Sequence, residues 1–250
     1  MSRDRDCDAC RGFSLVEMAV VLVVFALMLT GLLMITGTQL ATQRGKDTQR
    51  AVAEARQALL GFAAVNGRLP CPAAPNTPAG APGAGVERLP TNAGCTGGQA
   101  GVLPWATLGL PETDAWGRRI SYRVSALHSR TVIARLPTQY GLGCTPAPPP
   151  AQAAFALCSP GDNEVRVAAA GAPLVTNAPA VLISHGANGF GAWLPTGTQM
   201  PPSTDADEQE NHDGDAIAVE RTPTASFDDL VVVLPASLLA QSMLQAQRLP

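Results

Sequence analysis

One uncharged stretch constrains this chain of 250 residues more than any other feature. Apolar side chains begin at Phe13, and over positions 18–35 no residue carries a charge and Thr30 supplies the one hydroxyl. As an α-helix such a run rises about 1.5 Å per residue, so roughly 23 residues cross the ~30 Å hydrocarbon core of a bilayer. Arg3, Arg5 and Arg11 precede it and Arg44 and Lys46 follow. The leading arginines favour a cytoplasmic N-terminus.

A secretory signal has an apolar core of about 7–15 residues and a small-residue cleavage site. The run at 13–35 is longer, and Gly37-Thr38-Gln39 is a poor site of that kind. A plain anchor accounts for the length and leaves Glu17 unexplained. A carboxylate placed in lipid without a partner is unfavourable by about 2.5–3.5 kcal/mol on insertion scales. Glu17 either reaches to the headgroups or meets a cation.

Arg11-Gly12-Phe13-Ser14-Leu15-Val16-Glu17 resembles the prepilin cleavage motif of type IV pilins and type II secretion pseudopilins. The resemblance covers about the first thirty residues. It implies cleavage after Gly12 by a prepilin peptidase, N-methylation of the new terminal Phe13, and Glu17 as the fifth residue of the mature chain. Glu17 would then pair with the Phe13 ammonium of a neighbouring subunit and set the register between subunits. Cys7 and Cys10 form a C-x-x-C in the leader, and no second pair follows at metal spacing, so metal binding there is not expected.

Past the apolar run, Ala51, Val52, Ala55, Leu59, Phe62 and Ala63 recur at three- and four-residue steps, with Arg50, Glu54, Arg56 and Gln57 between them. This spacing predicts an amphipathic continuation of the helix. It ends at Asn66-Gly67, ahead of Pro70, and Gly31 and Gly37 are its weak points. Positions 69–111 are rich in Pro and Gly and predict a long irregular loop. Strands are expected at 119–124, 131–136, 165–168, 180–184, 216–219 and 230–234, a turn at 145–150, and a helical segment at 238–249.

Three short segments extend the resemblance to the pilin-like family. They are Thr113-Asp114-Ala115-Trp116-Gly117-Arg118, Ser184-His185-Gly186-Ala187-Asn188-Gly189, and Phe227-Asp228-Asp229-Leu230-Val231. The expected fold is α+β and pilin-like: a long N-terminal helix, transmembrane then amphipathic, on a C-terminal antiparallel sheet with disulfide-stapled loops. The expected divisions are a cleaved leader at 1–12, a membrane or fibre-core helix at 13–35, its periplasmic continuation at 36–66 and a β-rich periplasmic domain at 67–250.

The mature chain would keep Cys71, Cys95, Cys144 and Cys158, an even set in an oxidising compartment. Three pairings are open. Cys71–Cys95 and Cys144–Cys158 are favoured because each closes a short loop rich in Pro and Gly, for about 3 kcal/mol apiece by loop-closure entropy.

The acidic stretch Asp205, Asp207, Glu208, Glu210, His212, Asp213, Asp215 has the oxygen density that Ca²⁺ takes. It departs from an EF-hand loop, and a solvated acidic loop is the plainer reading. Asp205, Asp207, Glu208, Asp213 and Asp215 are the weak calcium candidates, and no other cofactor is expected. Ser184 and His185 are adjacent and lack a G-x-S-x-G setting, while His128, His185 and His212 lack metal-ligand spacing. An enzyme is therefore not expected.

With a net charge of -3 and no basic block, nucleic acid is not an expected partner either. The expected partners are other pilin or pseudopilin subunits, the prepilin peptidase and methyltransferase, the inner-membrane assembly platform and the membrane. Two rivals remain: a minor pilin whose loops bind DNA or a host surface, and a membrane-anchored periplasmic enzyme.

Overall fold

The structure is a computed structural model that describes residues 14–224 and 226–249, and of residues 29–38 the backbone alone. The helix α1 runs over Leu15–Asn66, 52 residues. Its backbone stays helical across Gly31 and Gly37. The chain divides into two compact units, one ending at Gln43 and the other beginning at Arg44.

In the first unit the described side chains from Leu15 to Met28 are all exposed. Among the described residues no helix is long and apolar enough to cross a membrane. The expected span at 13–35 begins at Phe13, outside those residues, and passes through positions whose side chains are not described.

The second unit contains the folded domain. Residues 44–66 of α1 present Val52, Ala55, Leu59 and Ala63, each no more than 1% exposed, while Glu54 and Gln57 face solvent. The helix stops because Gly67 turns left-handed at φ 69° and its N–H donates to Ala63 O. A Cβ there would lie 2.1 Å from Gln152 O, so glycine is required twice over.

Next come β1 (Ala100–Val102), α2 (Trp105–Leu108), β2 (Ser121–Val124), α3 (Ala126–Ser129), β3 (Asn163–Arg166), β4 (Pro173–Ala178) and β5 (Ala180–Ser184). The chain closes with α4 (Ala206–Glu210), β6 (Ile217–Val219), β7 (Leu230–Leu234) and α5 (Ala236–Gln245).

Two sheets form. One has the order β1-β2-β5-β7 with every pair antiparallel. The other, β4-β3-β6, combines an antiparallel with a parallel pair. The first sheet is covered on both faces. Tyr122, Val124, Ala180, Leu182 and Leu234 pack with Val52, Leu59, Leu239 and Met243 of the two flanking helices. Val181, Ile183 and Val231 point the other way and meet Val165 and Ala218 of the second sheet. Central β5 is therefore buried at all five positions, which explains its unbroken Ala-Val-Leu-Ile run.

Arginines hold the loop at 69–111. Arg119, fully buried, pairs with Glu112 at 2.7 Å, donates to Pro75 O and Pro195 O, and lies over the Trp105 ring at 4.6 Å. Arg68 forms a two-pronged pair with Glu87 at 2.8 and 2.9 Å, and Glu87 also accepts from Cys71 N. The disulfides are Cys71–Cys95 and Cys144–Cys158.

Three sequence expectations need correction. Residues 131–136 are not a strand: Arg135 donates to Thr131 O and Ile133 O, and no strand among the described residues pairs with the segment. β1 lies inside the stretch expected to be irregular, and β4, mostly exposed, was not anticipated. The expected C-terminal helical segment is α5, which packs within the chain; Ser242 Oγ donates to Leu60 O and Arg248 donates to Ala64 O.

Candidate functional site

At the start of α1, Ser14 and Glu17 cap the helix reciprocally. Ser14 N donates to Glu17 Oε2 at 3.0 Å, and Glu17 N donates to Ser14 Oγ at 3.2 Å. This is a capping box, which satisfies two N-terminal donors and sets a carboxylate at the positive end of the helix dipole. The expected cleavage and methylation positions, Gly12 and Phe13, lie outside the described residues.

The acidic stretch divides: Glu210, Asp213 and Asp215 bring one oxygen each within 4.8 Å of one another, while Asp205 and Asp207 turn to Arg221. Asp205 caps α4 by accepting from Asp207 N, and its second oxygen takes Arg221 at 2.8 Å and Ser226 at 2.7 Å. These bonds hold its carboxyl below the ordinary range, the Ser226 hydroxyl contributing most. Asp207 pairs with Arg221 at 2.7 Å. Asp213 and Asp215 are exposed and accept from Asp215 N and Ile217 N, as turn residues do. Only Glu208 points inward, 1% exposed.

Glu208 meets the three short motifs of the sequence at one end of the first sheet. Asp114 accepts from Trp116 N and Arg118 N through one oxygen and from Ser184 Oγ at 2.6 Å through the other. The Arg118 guanidinium, released by that turn, donates to Gly186 O and to Ala187 O at 3.0 Å. Gly186, at φ 52°, lets the loop after β5 close on Asp228, whose Oδ1 would be 2.4 Å from any Cβ placed there.

Asp228 Oδ2 then accepts from Ala187 N at 2.7 Å and Asn188 N at 3.0 Å. Asn188 Nδ2 donates to Glu208 Oε1 at 2.5 Å, and Asn211 Nδ2 donates to Asp229 Oδ2 at 2.8 Å. Burial, opposed by those loop N–H groups and helped by Asp229 and Glu208, raises the Asp228 carboxyl above its ordinary range.

His185 is fully buried beside this group. Its Nε2 is 2.9 Å from Ser121 Oγ and its Nδ1 is 3.6 Å from Asp229 Oδ1. Ser121 also lines a cavity of ≈ 250 Å³ with Trp193, Asn211 and His212. The order Ser–His–Asp is that of a proton relay, but the imidazole offers no surface to a substrate. Ser121 is moreover paired on both sides, with Val102 and Ile183, so its strand is committed to the sheet. The row locks the loop after β5 onto β2. Sequence reasoning missed Ser121, Asn211 and the two aspartates as one group. The available signal was that two of its members sit in the short motifs.

Residues 7–33 match the prokaryotic N-terminal methylation motif, the prepilin signature of type IV pilin-like proteins. No curated protein and no solved structure matches the chain. The motif is that of a pilin or pseudopilin, a class of chains that associate with like subunits and with a prepilin peptidase.

Proposed function

We propose that this chain is a structural subunit, a pseudopilin or minor pilin, of a type II secretion pseudopilus or a type IV pilus. The methylation motif at 7–33 carries the reading. The peptidase cuts after Gly12, Phe13 is N-methylated, and 13–35 is held in the inner membrane until subunits stack. Residues 36–66 continue that helix into the periplasm, where the domain at 67–250 forms the fibre's outer contacts. Apolar helices then replace lipid around the segment, so little apolar burial is lost on leaving the bilayer.

Glu17 has two uses in this scheme. Before assembly Ser14 and the helix end hold its charge through the capping box. In the fibre the freed ammonium of a neighbour's Phe13 neutralises it. Glu17→Ala should be cleaved normally and be missing from sheared fibres. A membrane-anchored enzyme would tolerate that change, so wild-type incorporation of Glu17→Ala contradicts the proposal.

A further inference from the structure

Glu208, Asp228 and Asp229 converge where α4, the loop after β5 and the start of β7 meet. One oxygen from each lies within 4.8 Å of the others. Each carboxylate is anchored through one oxygen: Glu208 by Asn188 and Asp228 N, Asp228 by Ala187 N and Asn188 N, Asp229 by Asn211. The second oxygen of each is buried and has no hydrogen-bond partner among the described residues: Glu208 Oε2, Asp228 Oδ1 and Asp229 Oδ1. Glu208 is 1% exposed and Asp229 6%. Among the described residues the one basic side chain within 4 Å of any of them is His185, through Asp229.

An unpaired buried carboxylate is unfavourable by several kcal/mol, and three together repel one another as well. Such a group persists when something positive sits among the free oxygens. All three ligands are hard oxygens, the class that binds Ca²⁺ and Mg²⁺. Ca²⁺ takes oxygens at 2.3–2.6 Å in adaptable geometry, so two ligands of one ion stand up to about 5 Å apart. Mg²⁺ demands a tighter octahedron and usually keeps several waters with one or two carboxylates. Three carboxylates, two on a loop and one on the short helix α4, therefore suit Ca²⁺ better.

We infer that Glu208, Asp228 and Asp229 form a Ca²⁺ site that ties α4 to the loops flanking β5 and β7. Hydrogen bonds to one oxygen of each fix the three carboxylates in place, as outer-shell hydrogen bonds do for metal ligands. His185 Nδ1 lies 3.6 Å from Asp229 Oδ1, too far for a hydrogen bond, and leaves that oxygen free for the cation. The site does not depend on the fibre reading and differs from the acidic stretch, which contributes Glu208 alone.

The test uses the full chain in detergent, stripped with EGTA and then titrated with CaCl₂ by calorimetry and thermal unfolding. The expected result is saturable Ca²⁺ uptake with a rise in Tm that EGTA reverses. Glu208→Gln and Asp229→Asn should abolish both, while Asp213→Asn with Asp215→Asn should retain both. Absence of Ca²⁺ uptake overturns the site, as does a Tm shift that survives Glu208→Gln and Asp229→Asn. A response to ZnCl₂ with none to CaCl₂ also overturns it, since that would require His185 as a ligand. Should a variant fail to fold, the titration of the unaltered chain decides.

Discussion

Two stretches of α1 bear apolar side chains that meet opposite environments. Leu22 and Leu27 are 64% and 69% exposed, whereas Val52, Leu59 and Ala63 are 0% exposed. In the second stretch the apolar residues fall on one face, with Arg50, Glu54 and Gln57 on the other, and a sheet of the same chain covers that face. In the first stretch apolar side chains surround the helix, and no single neighbouring surface can cover every side. It needs an enclosing phase, lipid or a bundle of like helices. Periodicity, more than hydrophobicity, tells which partner a helix takes.

The sharpest way to break this contrast is to place a charge in each stretch. Leu59→Asp buries an unpaired carboxylate and should abolish cooperative unfolding of the domain, an effect above about 4 kcal/mol. Leu22→Asp should leave the domain's Tm unchanged and reduce recovery of the chain in the membrane fraction. Equal effects on Tm would erase the distinction.

Next in size, Cys71→Ser with Cys95→Ser, or Cys144→Ser with Cys158→Ser, should each lower stability by about 3 kcal/mol. The loops span sequence separations of 24 and 14 residues, so denaturant midpoints of the two variants should fall close together.

Acid should act on the domain through His128, buried against the Phe155 ring at 4.6 Å. Burial, reinforced by Arg130, lowers its pKa from the ordinary 6.5 to about 3. The unfolded chain therefore takes up a proton below pH 6.5 that the folded chain refuses until about pH 3. Stability contributed by neutral His128 is full above 6.5 and is lost as pH falls, by about 1.4 kcal/mol per unit. At pH 5 the deficit is about 2 kcal/mol, and His128→Phe should remove that slope from Tm against pH. With no cation beside it, Asp228, raised by burial, acts oppositely: its contribution is lost as pH rises through its folded pKa. The smallest effect belongs to Arg50, whose pair with Asp47 is solvent-exposed. Arg50→Ala should change stability by less than about 0.5 kcal/mol.

Much of the fold was legible where a physical pattern repeats. The helical period reached its true end at Asn66-Gly67, and β2, β5, β6 and β7 fall on the expected runs. β1 was hidden because it has three residues and contains Gly101, and β4 because it opens with Pro173 and is mostly exposed. The run at 131–136 has strand-like composition, but a strand needs a partner, which local sequence does not supply. At the interior site, one of five calcium candidates points inward. Asp228 and Asp229 were visible only as part of a short motif, because their meeting with Glu208 is made by tertiary packing 20 residues away in sequence.

The account rests on processing at Gly12, and N-terminal sequencing of the chain extracted from membranes of cells with the assembly machinery tests it most directly. Residue one should be N-methylated Phe13. A native chain that still begins at Met1 would carry no free amine to neutralise Glu17 in a neighbour and would contradict the fibre reading.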